Sequence, residues 1–341
     1  MNGKEKSQVI IDEDCDLVYS SFYIQGLSQL YGKQNIRFGR IDDKPSGTWG
    51  FCFLVRAKNG EYRKIIISLS DSYLVDSGFY NWCDVYGSVN ANYLKTPKRF
   101  CEKLVPLCPS FGIHCWNLIE TLVHASIHFR HSTLPLKKYL GKHRRMLLRP
   151  QYEDYLASEK NVVKPDYIFF LSTLWYNDEW NKNDEGVNRR RSNFIRACRE
   201  LDDVRFEGGL VSQGKDRSSE SLFEDCLSDR ISMREWMEKT KRSALVFNTP
   251  AFWDCHGWKL GEYLAMGKCI VSTELSNDLP APLEHGVNIH FVEDDKEAMK
   301  EAITFIVNHP DYRKKLEKGA REYWERYGTP VASLKLLGIE Q

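Results

Sequence analysis

Apolar residues follow two different rhythms along this chain. From about residue 165 onward, short unbroken apolar runs alternate with stretches in which apolar positions recur every three or four residues. Unbroken runs of that length read as strands buried on both faces, and the periodic stretches read as helices. The pattern predicts strands over 167–174, 204–211, 244–248, 268–273 and 288–292, with helices over 188–201, 233–241 and 258–266. Gly267 stops the third of these helices, and Asp294 with Glu297 makes a capping-box-like start to a fourth that runs to residue 306. The polar stretch SQGKDRSSES reads as a loop. Strands alternating with helices at this spacing imply parallel βαβ units, hence a doubly wound α/β domain.

The first half is less regular. It predicts a strand over 9–11, a helix over 22–31, strand-like runs over 49–57 and 62–69, a strand over 84–89 and a helix over 116–131. The two middle runs flank Lys58-Asn59-Gly60-Glu61, whose Asn-Gly pair signals a two-residue hairpin turn. A basic helical segment leads into the polar stretch QYEDYLASEKNVVKP, which places a domain boundary near residue 160. The expected organisation is therefore 1–160, then 161–310, then closing helices over 311–341.

Composition narrows the chemistry. A length of 341 residues suits about two domains. Forty-eight Lys and Arg against 47 Asp and Glu leave a net charge of +1, which argues against the broad positive field of a nucleic-acid-binding protein. No apolar stretch approaches the roughly 18 residues that span a bilayer, and the beginning, MNGKEKSQVIIDEDCD, turns acidic where a secretory signal would carry its apolar segment. Ten scattered cysteines form no C-x-x-C pair, as expected of reduced, buried thiols in a cytoplasmic protein.

In open α/β sheets, ligands bind beyond the carboxyl ends of the strands. The most informative such place is ALVFNTPAFWDCHGWKLGEYLAMGKCIVST. Here a strand runs into a loop holding Pro250, Asp254 and Gly257, and a helix follows with Lys259 and Glu262 in its first turns. A glycine lets a ligand approach the backbone, and the amides of a helix start suit a phosphate. Lys259 adds a cation at the same place. Glu262 has the chemistry to accept hydrogen bonds from two vicinal hydroxyls of a ribose, and Asp254 to reach a sugar on the diphosphate. The plain alternative makes Glu262 an exposed helix residue and Asp254 a loop acid.

The run from Asp254 to Thr273 resembles the donor-site signature of GT-B-fold glycosyltransferases of the group 1, retaining type. In that family an acid and a Glu eight residues apart precede an Ala-x-Gly-x-Pro-Val-Val turn. The segment LEHGVNIHFVEDDKEAMKEAI is similar to the family's Glu-x-x-Gly-x-x-Gly-x-Leu-Val stretch with its following helix. The resemblance covers about residues 165–310. It implies two Rossmann-like α/β domains facing a cleft, with acceptor-side residues in 1–160, a nucleotide-sugar-binding domain in 161–310, and a final helix crossing back to the first domain. The implied activity is transfer of a hexosyl or deoxyhexosyl group from a nucleotide-diphosphate sugar to a glycan or lipid-linked saccharide, as in polysaccharide or lipopolysaccharide synthesis. No cofactor or obligatory metal is implied.

By position in the motif, Glu262 takes the ribose, Asp254 the transferred sugar, and Gly257, Trp258 and Lys259 the diphosphate. Three departures stand out. The first acid is Asp rather than Glu, Lys268-Cys269 replaces the small residue and Pro, and the family's Gly-Arg…Lys-Gly phosphate clamp is missing from LSTLWYNDEWNKNDEG. The missing charge would come from Arg190 and Arg191, beside Arg189, or from Lys215. FFLSTLW…NRRRSNFIRACREL also resembles, faintly, fucosyltransferase donor domains. A retaining reaction needs no protein base. An inverting one needs an Asp, Glu or His on the opposite face, for which Asp71, Asp76 and His114 are candidates, His114 foremost. A nucleotide-sugar epimerase or hydrolase on the same scaffold, and a non-catalytic glycan- or nucleotide-binding protein, are the alternatives.

Three further signals carry plainer readings. Asp12-Glu13-Asp14 contains the Asp-x-Asp of metal-dependent transferases but reads as an acidic turn. His124, His128 and His131 share one helical face, as a zinc site would require, although a His-bearing surface helix is the simpler expectation. Residues 137–149 hold Lys137, Lys138, Lys142, Arg144, Arg145 and Arg149 among leucines. They read as a solvated basic face or as a peripheral contact with the anionic inner surface of the membrane.

Overall fold

Val9, Ile10 and Ile11 have no polar side to turn outward, and strand β1 (Val9–Asp12) is accordingly buried along its whole length. In the computed structural model, which describes residues 8–47, 50–129, 135–156, 163–176, 184–214 and 217–340, β1 lies within a six-stranded sheet. Asp16 caps helix α1 (Leu17–Tyr31), its carboxylate accepting from the amides of Val18 and Tyr19. The sheet continues with β2 (Ile36–Gly39), β3 (Gly50–Arg56), β4 (Tyr62–Ser68), helix α2 (Ser77–Trp82), β5 (Val85–Ser88) and β6 (Leu104–Pro106), in spatial order β2-β1-β3-β4-β5-β6. Every neighbouring pair is parallel except β1–β3 and β3–β4, so β3 alone runs against its neighbours.

The β3–β4 hairpin forms where the Asn-Gly pair places it, with Arg56 opposite Tyr62. Its turn is one residue longer than the two-residue form. Gly60 donates to the Ala57 carbonyl and takes φ +87°, and Ala57 closes the loop on Glu61. That is a type I turn followed by a left-handed glycine, the three-residue hairpin. Helices α3 (Leu118–His128), α4 (Leu136–Leu147) and the single turn α5 (Tyr152–Tyr155) complete this region.

The chain divides into two compact units. The first is Met1–Asp154 with Asp278–Ala281 and Arg326–Gln341, and the second is Tyr155–Asn277 with Pro282–Glu325. The last helix, Pro330–Leu336, thus belongs to the first unit, where it packs on α1. Gly26 makes this contact possible, because a Cβ there would sit 2.5 Å from the Pro330 carbonyl oxygen.

The second unit holds β7 (Tyr167–Thr173), α6 (Asp184–Arg199), β8 (Arg205–Val211), α7 (Arg217–Leu222), α8 (Met233–Arg242), β9 (Val246–Asn248), α9 (Trp258–Ala265), β10 (Ile270–Ser272), β11 (His290–Phe291), α10 (Lys296–Asn308) and α11 (Pro310–Tyr323). Its ladders are all parallel: β7 with β8, and β9–β10–β11. Strands β7 and β9 are neighbours, tied by Ala244 N–H to the Tyr167 carbonyl at 2.7 Å and by Phe169 N–H to the Ser243 hydroxyl at 2.8 Å. The Ser243 hydroxyl takes an amide bond that a continuous ladder would have given to a carbonyl. The strand sequence across this unit is therefore β8-β7-β9-β10-β11. Both units are α/β, the class expected from the sequence.

The core of the second unit is built on Phe170, Phe194 and Phe247, with Phe194 and Phe247 stacked at 4.3 Å. Two sequence expectations need correction. Asp295, not Asp294, caps α10, accepting from the amides of Glu297 and Ala298, while Asp294 pairs with Arg189 at 2.7 Å. The SQGKDRSSES stretch is not all loop, because α7 starts within it. None of the ten cysteines, all of them among the described residues, is in a disulfide, and all but Cys101 are buried. Burial pushes the Cys15 and Cys52 thiols up to about 12, as expected of unreactive thiols.

Candidate functional site

In the second unit the chain passes from β7 through α6 to β8 on one side, and β9, on the other side of β7, continues through α9 to β10. The gap between the carboxyl ends of β7 and β9 is therefore the topological switch point, where an open parallel sheet leaves a crevice for a ligand.

Four groups meet there. Glu262, in the second turn of α9, is only 5% exposed. Lys259 lies within the electrostatic reach of both Glu262 and Arg191, and Arg191 is itself buried, with one guanidinium nitrogen 2.7 Å from the Thr173 carbonyl at the end of β7. Lys259 lies over the Trp236 ring at 4.8 Å. Burial depresses the Lys259 ammonium to about 8, Glu262 offsets part of that fall, and Arg191 adds to it. The plain alternative, an exposed helix residue, does not hold for Glu262. A carboxylate this enclosed needs favourable charge around it, and Lys259 supplies one such charge.

The residue at the cap of α9 is Gly257, which has no side chain to offer the first amides of the helix. Its positive end, reinforced by Lys259, is suited to an anion. Gly257, the residue at the cap, has φ −75°, and a Cβ there would meet only the Ala251 Cβ, at 3.7 Å. The protein's own packing therefore does not demand glycine at 257. Trp258 opens the helix and is half-buried.

Asp254 is exposed and ends the 3-10 turn Phe252–Asp254 before α9. Both Trp253 and Asp254 adopt left-handed backbone conformations, φ 51° and 59°, which are unfavourable for side chains with a Cβ. The Asn277 amide donates to the Asp254 carbonyl at 3.1 Å and the His256 ring contacts the Asn277 carbonyl at 3.1 Å, which ties the strained loop down.

Sequence reasoning missed the aromatic row beside this loop. Trp175, just past β7, stacks on Phe252 at 6.1 Å, and Phe252 stacks on Trp253 at 4.5 Å. Asn188 of α6 holds Trp175 in place through both its backbone groups, and Trp253 is 50% exposed. The available signal was that LSTLWY and PAFWD both put aromatic residues directly after strand ends. Lys268, the departure from the family's small residue, is also explained. It is buried and donates to the carbonyls of Lys241 and Ser243, at 3.0 and 2.5 Å, clasping the connection between α8 and β9.

The remaining predicted residues fall as follows. The Arg190 Nε is buried without a hydrogen-bond partner among the described residues, one position from Arg191. Arg189 is engaged by Asp294. Lys215 lies outside the described residues. His114 lies in the first unit, its Nε2 likewise buried and unpartnered among the described residues. Asp76 is used as the cap of α2, accepting from the Phe79 amide.

Asp12 is buried and paired with Lys44 at 2.7 Å, and Asp16 is a helix cap. His124 stacks on Trp116 at 4.0 Å, and burial lowers its pKa. His131 lies outside the described residues. Among the described residues no three His, Cys, Asp or Glu side chains group as a metal site, and no helix is long and apolar enough to cross a membrane.

No protein-family model matches the chain, and no curated protein matches its sequence. Solved structures to which it is similar include the C-terminal domain of the glycosyl transferase group 1 family protein LpcC from Francisella tularensis, at 10% identity and TM-score 0.37, over 51% of this chain and 95% of that one. A glycosyltransferase from Rickettsia africae ESF-5 is similar at 13% identity and TM-score 0.40, over 78% of this chain and 65% of that one. A point mutant of S. aureus TarM, in complex with fondaparinux, alpha-GlcNAc-glycerol and UDP, is similar at 11% identity and TM-score 0.43, over 85% of this chain and 62% of that one. The chain thus spans just under two thirds of the last two proteins.

Proposed function

We propose that this chain is a glycosyltransferase that moves a sugar from a nucleotide-diphosphate donor to a glycan or lipid-linked saccharide. The observation that carries this reading is the gathering of buried Glu262, buried Arg191 and Lys259 about the start of α9, which Gly257 opens without a side chain, at the switch point of a parallel sheet. In this reading the diphosphate settles against the first turn of α9, with Gly257 and Trp258 at its side. Lys259, Arg190 and Arg191 neutralise the charge that grows on the leaving group. Glu262 accepts from the ribose hydroxyls, and Asp254 addresses the transferred sugar. The aromatic row at Trp253 offers a flat face to a base or sugar. Charge neutralisation comes from fixed side chains and helix amides, so the reading requires no resident metal. His114 stands as the base candidate for an inverting reaction, and Lys215 as a further phosphate contact. The enzyme would act in the cytoplasm, in polysaccharide or lipopolysaccharide synthesis, touching the inner membrane surface through residues 137–149.

Thermal shift against UDP, GDP, ADP, CMP and dTDP identifies the nucleotide, because a ligand that binds only the native state raises its Tm. With that nucleotide, Glu262→Ala should weaken binding by about 10- to 100-fold. Asp254→Asn should reduce donor turnover more than nucleotide binding. Equal loss of both would remove Asp254 from its assigned role. Interconversion of free nucleotide sugars without acceptor would replace transfer by epimerisation.

A further inference from the structure

Helix α3 of the first unit is amphipathic the wrong way round. Its inward positions are Thr121, His124 and Ala125, with Thr121 and Ala125 buried and His124 packed on Trp116 and Phe38. Its outward positions are Leu118, Ile119, Leu122, Val123 and Ile127, with Ile119 74% and Leu122 59% exposed. The helix is firmly placed rather than slack. Asn117 and Glu120 form a reciprocal capping box, Glu120 pairs with Lys33 at 2.5 Å, and the Tyr139 hydroxyl of α4 donates to the Ala125 carbonyl at 2.8 Å. Soluble proteins rarely leave a helix face of large aliphatic side chains in water without a use for it.

The neighbouring helix identifies the occupant. Helix α4 packs against α3 and contains no acid, while exposing Lys137, Lys138 and Arg144, together with Leu136, Leu140 and Arg145, the last in a long pair with Asp16 at 3.9 Å. The single acid on α3, Glu120, is already neutralised by Lys33. A second copy of the chain would bring these cations against their own kind. An anionic lipid surface supplies both complements at once, headgroups for the cations and acyl chains for the aliphatic face.

We propose that α3 and α4 together form a monotopic docking surface for an anionic bilayer, with the Leu118–Ile119–Leu122–Val123 face inserted and the α4 cations at headgroup level. This deepens the membrane contact placed above on residues 137–149 alone, and rests on that part of the proposed function. It makes the apolar face of α3, not the basic segment, the element that enters the lipid.

The test is sedimentation of the whole chain with vesicles of phosphatidylcholine alone or with about one third phosphatidylglycerol. The chain should pellet with the anionic vesicles and stay in solution with the neutral ones. Ile119→Asp with Leu122→Asp should lower the partition coefficient by roughly tenfold or more. Tm and nucleotide binding should be unchanged, because both side chains are exposed and far in sequence from the α9 site. Lys137→Glu with Lys138→Glu and Arg144→Glu should lower it at low salt and flatten the loss that the wild type shows as salt rises, because the screenable attraction is gone. Equal pelleting of wild type and the aspartate variant overturns the proposal. So does wild-type self-association that the aspartate pair abolishes without vesicle binding, which would make α3 a contact between copies. Vesicle binding by a chain that binds no nucleotide would instead leave docking intact and sink the transferase reading.

Discussion

Lys259 is where the physics of single residues is sharpest. An ammonium packed against protein loses part of its hydration, and here, on a half-buried side chain, its pKa settles at about 8, held up by Glu262 and pressed down by Arg191. It is therefore charged at neutral pH and sheds its proton just above it. A diphosphate binds the protonated form more tightly, so binding raises this pKa, and linkage fixes the sign of the pH effect. Nucleotide affinity should be level below pH 8 and fall as pH rises through it, by up to about tenfold per unit. Calorimetry near pH 8 in buffers of different ionisation enthalpy should report proton uptake on binding. Lys259→Met should bind more weakly and flatten the profile; a wild-type profile that is already flat across pH 7–9 would remove Lys259 from the phosphate site. The acid-and-Glu spacing was legible in the sequence because the loop and helix that carry it are local. The Lys259–Trp236 contact was not, since it joins α9 to α8 from a part of the chain more than twenty residues earlier.

At the level of elements, the helix pair closing the first unit shows how one absent atom fixes a packing distance. Gly26 lies inside α1, where alanine would be the better helix former by about 1 kcal/mol. Its Cβ, however, would press on backbone at Pro330 rather than on a side chain that can move aside. The clash wins, and Gly26→Ala should destabilise the protein by about 1–3 kcal/mol in urea unfolding, with nucleotide binding by the folded fraction unchanged. Which elements the sequence revealed follows from burial. Strands β7, β9 and β10 of the second unit are short but buried on both faces, so their runs are continuous and visible, as in β7 with Tyr167 to Leu171 all buried. β2 and β6 are edge strands, only partly buried, and carry no such run. α1 begins five residues before the helix expected from 22, because Asp16 caps it in a stretch that reads only as an acidic turn. α3 was legible as a helix, but its apolar stripe points outward, and periodicity says nothing about which side of a stripe meets the core.

For the molecule as a whole, composition settled the broad class but not the allocation of chain to units. A net charge of +1 conceals a helix, α4, with no acid at all, and an even spread of hydrophobic residues conceals an exposed aliphatic face next to it. The boundary expected near residue 160 and the tail expected as one block both treat the chain as a line to be cut. In the structure the tail divides, with Pro310–Tyr323 in the second unit and Pro330–Leu336 in the first. Cutting the gene between residues 154 and 155 would therefore not yield two self-sufficient pieces. The downstream fragment would carry a strap that the upstream fragment needs to cover α1, so the two should behave as a split protein. Co-expressed, 1–154 should be rescued into soluble, copurifying material by 155–341 but not by 155–325, and equal recovery with either would show that the strap is dispensable.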